Sequence, residues 1–222
     1  MDRLERTGLG RRLEIGSPAP DFTLTLLETG QPVSLSVYRG TNPLLLGLYR
    51  GLYCPFCRRA VAKLALASDH LRSRGIETLA VIGTTLDNAR LYYRHRPMRV
   101  PIAVDPELAT HRTFGLPKVE ASWETVSARR LNPSGELAED LPFWEGTKAL
   151  GRLDGFVPTD VDKDDGKRTW DQSVGEFLID RDGIIRWLHA EGTSATDYCV
   201  NFPSVETLVS AAHAVKPLCA NG

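Results

Sequence analysis

The sequence predicts an α/β protein built as three layers, with a central mixed sheet between helices. Three observations point there. Residues 43 to 114 alternate short apolar runs with helical periodicities, a βαβα pattern that favours parallel strands covered on both faces. Hairpin signals stand before and after this stretch. The 222 residues are 42% hydrophobic and 25% charged, enough apolar side chain for one sizeable core.

The elements follow in chain order. Residues 1 to 14 read as a polar tail, after which Gly16-Ser17-Pro18-Ala19-Pro20 opens the ordered domain, taken as 15 to 222, with a turn-rich entry. Asp21 to Leu26 alternates as a strand does, Glu28-Thr29-Gly30-Gln31 is turn-like, and Pro32 to Leu35 returns as its partner. Pro43 to Tyr49 is a continuous apolar run, the signature of a strand buried on both faces. From Pro55 to Arg74, Ala60, Leu64, Ala67 and Leu71 recur at helical spacing, and Gly75 supplies the stop. Glu77 to Ile82 is a second buried strand, Asp87 to Arg96 a helix closed by Pro97, Pro101 to Val104 a short strand and Glu107 to Phe114 a short helix. Between 118 and 172 the periodicity decays. Because a structureless run of that length is unusual in a compact domain, this region reads as an insertion with helix or hairpin of its own, placed where it could cover an active site. Two β-rich runs, 175–180 and 184–189, are joined through Asp182-Gly183 as a hairpin. Pro203 to Val215 closes the chain as an amphipathic helix with Val205, Leu208, Val209, Ala212 and Val215 on one face.

Charge and hydropathy exclude several function classes. Lys and Arg number 27 against 28 Asp and Glu, a net charge of −1, so no global field recruits nucleic acid or an anionic membrane surface. No apolar run approaches the ~20 residues needed to span a bilayer. The polar N-terminus lacks the apolar stretch of a secretory signal, so the expected location is the cytoplasm. Four cysteines in a chain of this length are too sparse for a disulfide scaffold, which makes their spacing the informative feature.

Cys54-Pro55-Phe56-Cys57 sits where the apolar strand passes into the first helix. With Cys54 as N-cap, Pro55 falls at the first helical position, where its fixed φ fits and its missing N–H costs nothing. Amides of the first turn and the positive end of the helix dipole then face the Cys54 sulfur and favour thiolate over thiol. Arg50, Arg58 and Arg59 are nearby cations that could add to the effect. Cys57, one turn further in, is placed to attack a mixed disulfide or a sulfenic acid on Cys54. Two bland readings compete: inert packing at a helix start, or half of a zinc site. A closed zinc site needs two more ligands, and Cys199 and Cys219 form no second CxxC pair.

In order and spacing, Gly16-Ser17-Pro18-Ala19-Pro20-Asp21-Phe22-Thr23-Leu24, Val33-Ser34-Leu35 to Tyr38-Arg39-Gly40, Arg50-Gly51-Leu52-Tyr53-Cys54-Pro55-Phe56-Cys57 and Gly175-Glu176-Phe177-Leu178-Ile179-Asp180-Arg181-Asp182-Gly183 form a recognisable series. From about Gly16 to Val215 the chain resembles the peroxiredoxin-like AhpC/TSA (redoxin) branch of the thioredoxin superfamily. The resemblance implies a thioredoxin-like fold, Cys54 as attacking thiol and Cys57 as its resolving partner. It further implies an oxidoreductase that reduces peroxides or disulfides without a cofactor and is itself reduced by a thioredoxin-like or low-molecular-weight thiol, with a homodimer as a possibility. The chain departs from the family's Pro-x-x-x-Thr-x-x-Cys pattern, since Gly47 and Gly51 stand at the Pro and Thr positions. Val174 and Gly175 stand where the family carries an arginine before the Phe-Ile-Asp-like strand. Such donors can each be worth ~3 kcal/mol of charge stabilisation. Tyr49, Tyr53 or an arginine are the candidates to stand in for them. The competing reading from another class is a redox-sensing or partner-binding module that uses the same cysteine pair.

Other features read more plainly. Asp160-Val161-Asp162-Lys163-Asp164-Asp165-Gly166 resembles a calcium loop only superficially, because its glycine falls one place late, and it reads as a solvated acidic loop. His70, His95, His111, His189 and His213 are scattered, and each reads as a surface or core residue rather than a base or metal ligand. Cys199 reads as a small buried residue, with a further disulfide or an alternative resolving role left open, and Cys219 as a tail thiol. Trp123, Trp144 and Trp170 read as a satellite core, and Arg94 to Arg99 as a solvated helix end.

Overall fold

The structure, a computed structural model, describes residues 13–120, 122–132, 135–192, 194, 197–199 and 202–215. Most of the tail read at 1 to 14, and Cys219, lie outside the described residues.

A seven-stranded mixed sheet organises the chain. Its strands are β1 (Thr23–Leu26), β2 (Pro32–Ser34), β3 (Leu44–Tyr49), β4 (Glu77–Ile82), β5 (Ile102–Val104), β8 (Gly175–Ile179) and β9 (Ile185–Ala190), in the order β2-β1-β5-β4-β3-β8-β9. β3, β4 and β5 run parallel, and the strands outside them pair antiparallel. The helices are α1 (Pro55–Arg72), α2 (Leu86–Tyr93), α3 (Ala109–Thr113), α4 (Trp123–Ser127), α5 (Phe143–Leu153), α6 (Asp160–Thr169) and α7 (Val205–Ala211). A two-stranded ribbon, β6 (Arg130–Leu131) with β7 (Leu141–Pro142), stands apart from the main sheet.

β3 shows why the sheet is covered on both sides. All six of its residues are buried, and they alternate between two cores. Leu45 and Tyr49 face the core that holds Leu64, Ala67 and Leu71 of α1 with Leu208 and Ala211 of α7. Leu44, Leu46 and Leu48 face the opposite core, with Leu35, Phe114, Phe177 and Ile185. Strand alternation at period two is thus filled by apolar side chains at both phases, as a central parallel strand requires. The predicted hairpin through Asp182-Gly183 is present, with Gly183 at φ +79° and its amide donating to the Asp180 carbonyl at 3.0 Å. The closing helix is shorter than its apolar pattern, with a 3-10 turn (Ala212–Ala214) completing it.

The reading of Asp160 to Gly166 as a solvated loop is corrected by the structure, since these residues open α6. Thr159 is the N-cap, and a capping box with Asp162 satisfies two amides of the first turn. The buried side of α6 is polar: Asp162 Oδ1 accepts from Asn88 Nδ2 at 2.8 Å, and Thr159 Oγ1 donates to Asn88 Oδ1 at 2.8 Å, joining α6 to α2. Its outer side carries the exposed pairs Lys163–Asp160 and Lys167–Asp164.

Replacing the cap, Thr159→Ala, removes one helix-start bond and the link to Asn88, and is expected to cost ~1–2 kcal/mol. For a chain of this size that is a fall of roughly 2–8 °C in Tm by thermal melt; an unchanged Tm would show that the α6 cap contributes nothing.

Candidate active site

The parallel strands end at the edge where α1 begins, and β3 continues through Arg50 and the turn 51–53 to Cys54. Cys54 is the N-cap of α1 in extended backbone conformation (φ −81°, ψ 112°), with Pro55 in the first turn. Its sulfur accepts from the Cys57 amide at 3.2 Å, and the two cysteines approach to 2.9 Å with no disulfide between them. From the opposite side, the segment after β9 brings in Cys199, a non-glycine residue at φ +60°. Its amide donates to Glu191 Oε1 at 2.6 Å, and its sulfur accepts from Arg50 Nη1 at 3.1 Å. Arg50 Nη2 is ion-paired with the Glu191 carboxylate, and the guanidinium lies 4.5 Å from the centre of the Tyr198 ring. Cys54, Cys57 and Cys199 expose only 3, 1 and 2% of their surface, so the three sulfurs share a nearly dry site.

Electrostatics assigns different protonation to the three. Burial pushes the Cys54 thiol up, but hydrogen bonds from the Cys199 and Cys57 thiols, the Arg50 charge and the Cys57 amide outweigh it and hold Cys54 well below the ordinary cysteine range. Burial, followed by donation toward Cys54, holds Cys57 and Cys199 well above that range. These opposed shifts favour a thiolate at Cys54 over one at either neighbouring cysteine. Burial alone would lower the Arg50 pKa, yet Glu191 and its neighbours raise it well above normal, so the cation persists.

The two departures from the Pro-x-x-x-Thr-x-x-Cys pattern have steric causes. A Cβ on Gly47 would lie 2.6 Å from the Tyr49 hydroxyl oxygen, and one on Gly51 2.8 Å from Cε1 of Tyr53. The tyrosines occupy the space that Pro and Thr side chains would fill. Tyr53 is held there by a hydrogen bond between its hydroxyl and Thr169 Oγ1 at 3.0 Å, and Gly166 of α6 lets its ring approach the helix. Position 175 cannot carry a side chain either, because a Cβ there would meet the His189 carbonyl oxygen at 2.8 Å and Leu116 at 2.9 Å. The buried cation beside the sulfur is instead Arg50, delivered from the end of β3.

Of the residues singled out from the sequence, Cys54, Cys57, Arg50 and Cys199 come together. Arg58 and Arg59 do not serve the thiolate: both pair with Asp154, and Arg59 also with Glu136. Trp123 packs against both Trp144 and, edge-on, Trp170, but the three are not a separate satellite, because Trp144 and Trp170 pack against the same core that contains Cys54. His111 is fully buried and pulled down to about 3 chiefly by that burial, His189 pairs with Glu176, and His70, His95 and His213 are exposed. Among the described residues no cluster of His, Cys, Asp or Glu is arranged to hold a metal. Glu191, Tyr198 and Thr169 were not legible as site residues. The only sequence signal for Glu191 is a single acid at the end of an apolar strand.

The layered sheet and the cysteine-capped helix define a thioredoxin-fold redox protein. The profile of the AhpC/TSA family matches residues 15–139, more than half of the chain, and the protein belongs to that family. Its fold is shared with the peroxidoxin BcpB of Mycobacterium tuberculosis (14% identity, 92% of this chain and 99% of that one, TM-score 0.57). It is shared equally with the reduced 2-Cys peroxiredoxin of Plasmodium vivax (15%, 90% and 81%, TM-score 0.58) and a peroxiredoxin-like protein of Aquifex aeolicus (13%, 93% and 91%, TM-score 0.57). No curated protein matches the sequence. Among the described residues no helix is long and apolar enough to cross a membrane.

Reinstating the family hydroxyl by Gly51→Thr is expected to destabilise the protein by ~1–3 kcal/mol, because the Tyr53 ring must be displaced. Urea unfolding of wild type, Gly51→Thr, Tyr53→Ala and the double variant checks it: Gly51→Thr should cost less in the Tyr53→Ala background than in wild type, and a Gly51→Thr variant as stable as wild type would contradict the steric account.

Proposed function

We propose that the protein is a thiol-dependent oxidoreductase that reduces peroxides, cycling Cys54 and Cys57 between dithiol and disulfide. The observation that carries this reading is the Cys54 sulfur at the N-cap of α1, bonded by the Cys57 amide at 3.2 Å, with the two cysteines 2.9 Å apart. The Cys54 thiolate attacks one peroxide oxygen, the O–O bond breaks, the departing oxygen takes up a proton and leaves as an alcohol or water, and Cys54 becomes a sulfenic acid. Cys57 then attacks that sulfur, its thiol proton leaves with the hydroxyl as water, and the disulfide closes. Two electrons from an external dithiol, or from two small thiols, restore the pair.

Two features favour a small peroxide over a protein disulfide as oxidant. All three sulfurs are almost inaccessible, which admits a molecule of a few atoms more readily than a second polypeptide. Among the described residues the buried Arg50 Nε has no hydrogen-bond partner, which favours it as a donor to an oxygen developing charge. This donor answers to the missing Thr and Arg of the family pattern.

Stopped-flow consumption of hydrogen peroxide, an organic hydroperoxide and a small disulfide by the reduced protein tests the reading. Cys54→Ser should abolish peroxide consumption, and Cys57→Ser should leave the first turnover intact. Peroxide consumption unchanged by Cys54→Ser would end the proposal.

A further inference from the structure

We infer that Cys199 is a second resolving thiol, so that oxidised Cys54 can close a disulfide either with Cys57 along α1 or with Cys199 across the site. The inference rests on the proposed chemistry of Cys54 and extends it to a residue that the family pattern does not supply.

Three independent features distinguish Cys199 from a small apolar core residue. Cys199 lies in the same buried core cluster as Cys54 and Cys57, and its sulfur and that of Cys54 interact electrostatically. Its own sulfur receives Arg50 Nη1 at 3.1 Å, and a cation at that distance favours the thiolate that must form when Cys199 attacks or leaves. Its backbone occupies the left-handed region at φ +60°, which for a residue with a Cβ costs on the order of 1–3 kcal/mol and persists only where the surroundings enforce it. The enforcing contact is Glu191, whose Oε1 accepts the Cys199 amide while the same carboxylate pairs with Arg50. One buried ion pair therefore holds the cation against the third sulfur, in the core that contains Cys54.

The steps balance. After peroxide has converted Cys54 to a sulfenic acid, Cys199 attacks its sulfur, the S–O bond breaks, and the hydroxyl leaves with the Cys199 proton as water. The product is a Cys54–Cys199 disulfide. Cys57 can then attack the Cys54 sulfur of that bond while its proton passes to the departing Cys199 sulfur, forming Cys54–Cys57 and releasing the Cys199 thiol beside Arg50, with no net change in oxidation state. Oxidation through Cys199 would tie the segment after β9 covalently to the start of α1, a link the Cys54–Cys57 bridge cannot make.

The test uses the full chain in four forms: wild type, Cys57→Ser, Cys199→Ser and Cys57→Ser/Cys199→Ser. Each is reduced, treated with one equivalent of hydrogen peroxide, alkylated, and mapped by mass spectrometry under non-reducing conditions. Wild type and Cys199→Ser should yield the Cys54–Cys57 bridge. Cys57→Ser should lose two thiols per chain and yield an intramolecular Cys54–Cys199 bridge, and the double variant should stop at a sulfenic acid trapped by dimedone. Cys57→Ser that accumulates dimedone-labelled Cys54 with Cys199 fully alkylated, or that bridges to Cys219, overturns the inference while leaving the proposed function standing. A wild type in which Cys54 is not oxidised removes both. Circular dichroism of each variant establishes that the comparison is between folded proteins, and Cys57→Ala repeats the decisive arm with a residue that cannot donate a hydrogen bond.

Discussion

A negative charge on the Cys54 sulfur, held in a nearly dry site, is the constraint to which the surrounding residues answer. Burial by itself opposes that charge. Overcoming it takes donors and a cation together: the Cys57 amide, two thiols and Arg50. The cation has to be neutralised in turn, because an unpaired buried guanidinium is costly to hold. Glu191 does so, and its second oxygen binds the amide that positions Cys199. A short chain of dependencies thus runs from one sulfur to a carboxylate 137 residues away in sequence.

The fold supplies this arrangement through the ends of its parallel strands, where an α/β sheet exposes its turns. β3 contributes Arg50 and α1 contributes the capping cysteine, while the antiparallel pair β8 and β9 returns the chain so that Glu191 lies alongside. Tyr49 and Tyr53 fill the volumes above Gly47 and Gly51, and α6 backs Tyr53 through Gly166 and Thr169. The loss of the family's Thr is therefore part of a different packing solution, in which aromatic rings and a strand-borne arginine line the site.

Much of this was legible before the structure. The apolar run of β3, the helical spacing from Ala60 to Leu71 and the Asp-Gly hairpin each carry a strong local signal, and Cys54-Pro55 declares a helix start by its own chemistry. The Cys54–Cys57 proximity follows from one turn of helix. What was not legible is tertiary. Nothing near Cys199 in the sequence indicates that it joins the core that holds Cys54 and meets Arg50, since that placement depends on how the chain folds back after β9. Arg58 sits as close to Cys54 in sequence as Arg50 does, and Arg59 one residue further, yet both point to Asp154, and only the packing of α5 against α1 decides it. α6 escaped because its buried side is made of Asp162, Asp165 and Thr169, so no apolar stripe marks the helix.

The most direct measurement is the pH dependence of Cys54 alkylation in the reduced protein, followed on the Cys54 peptide by mass spectrometry and compared with Arg50→Met. Alkylation requires the thiolate, so its rate climbs through the thiol pKa and then levels off. The account predicts a plateau reached well below the ~8.5 of an unperturbed cysteine, with the inflection moving upward in Arg50→Met. A wild-type inflection at or above the free-cysteine value would contradict it.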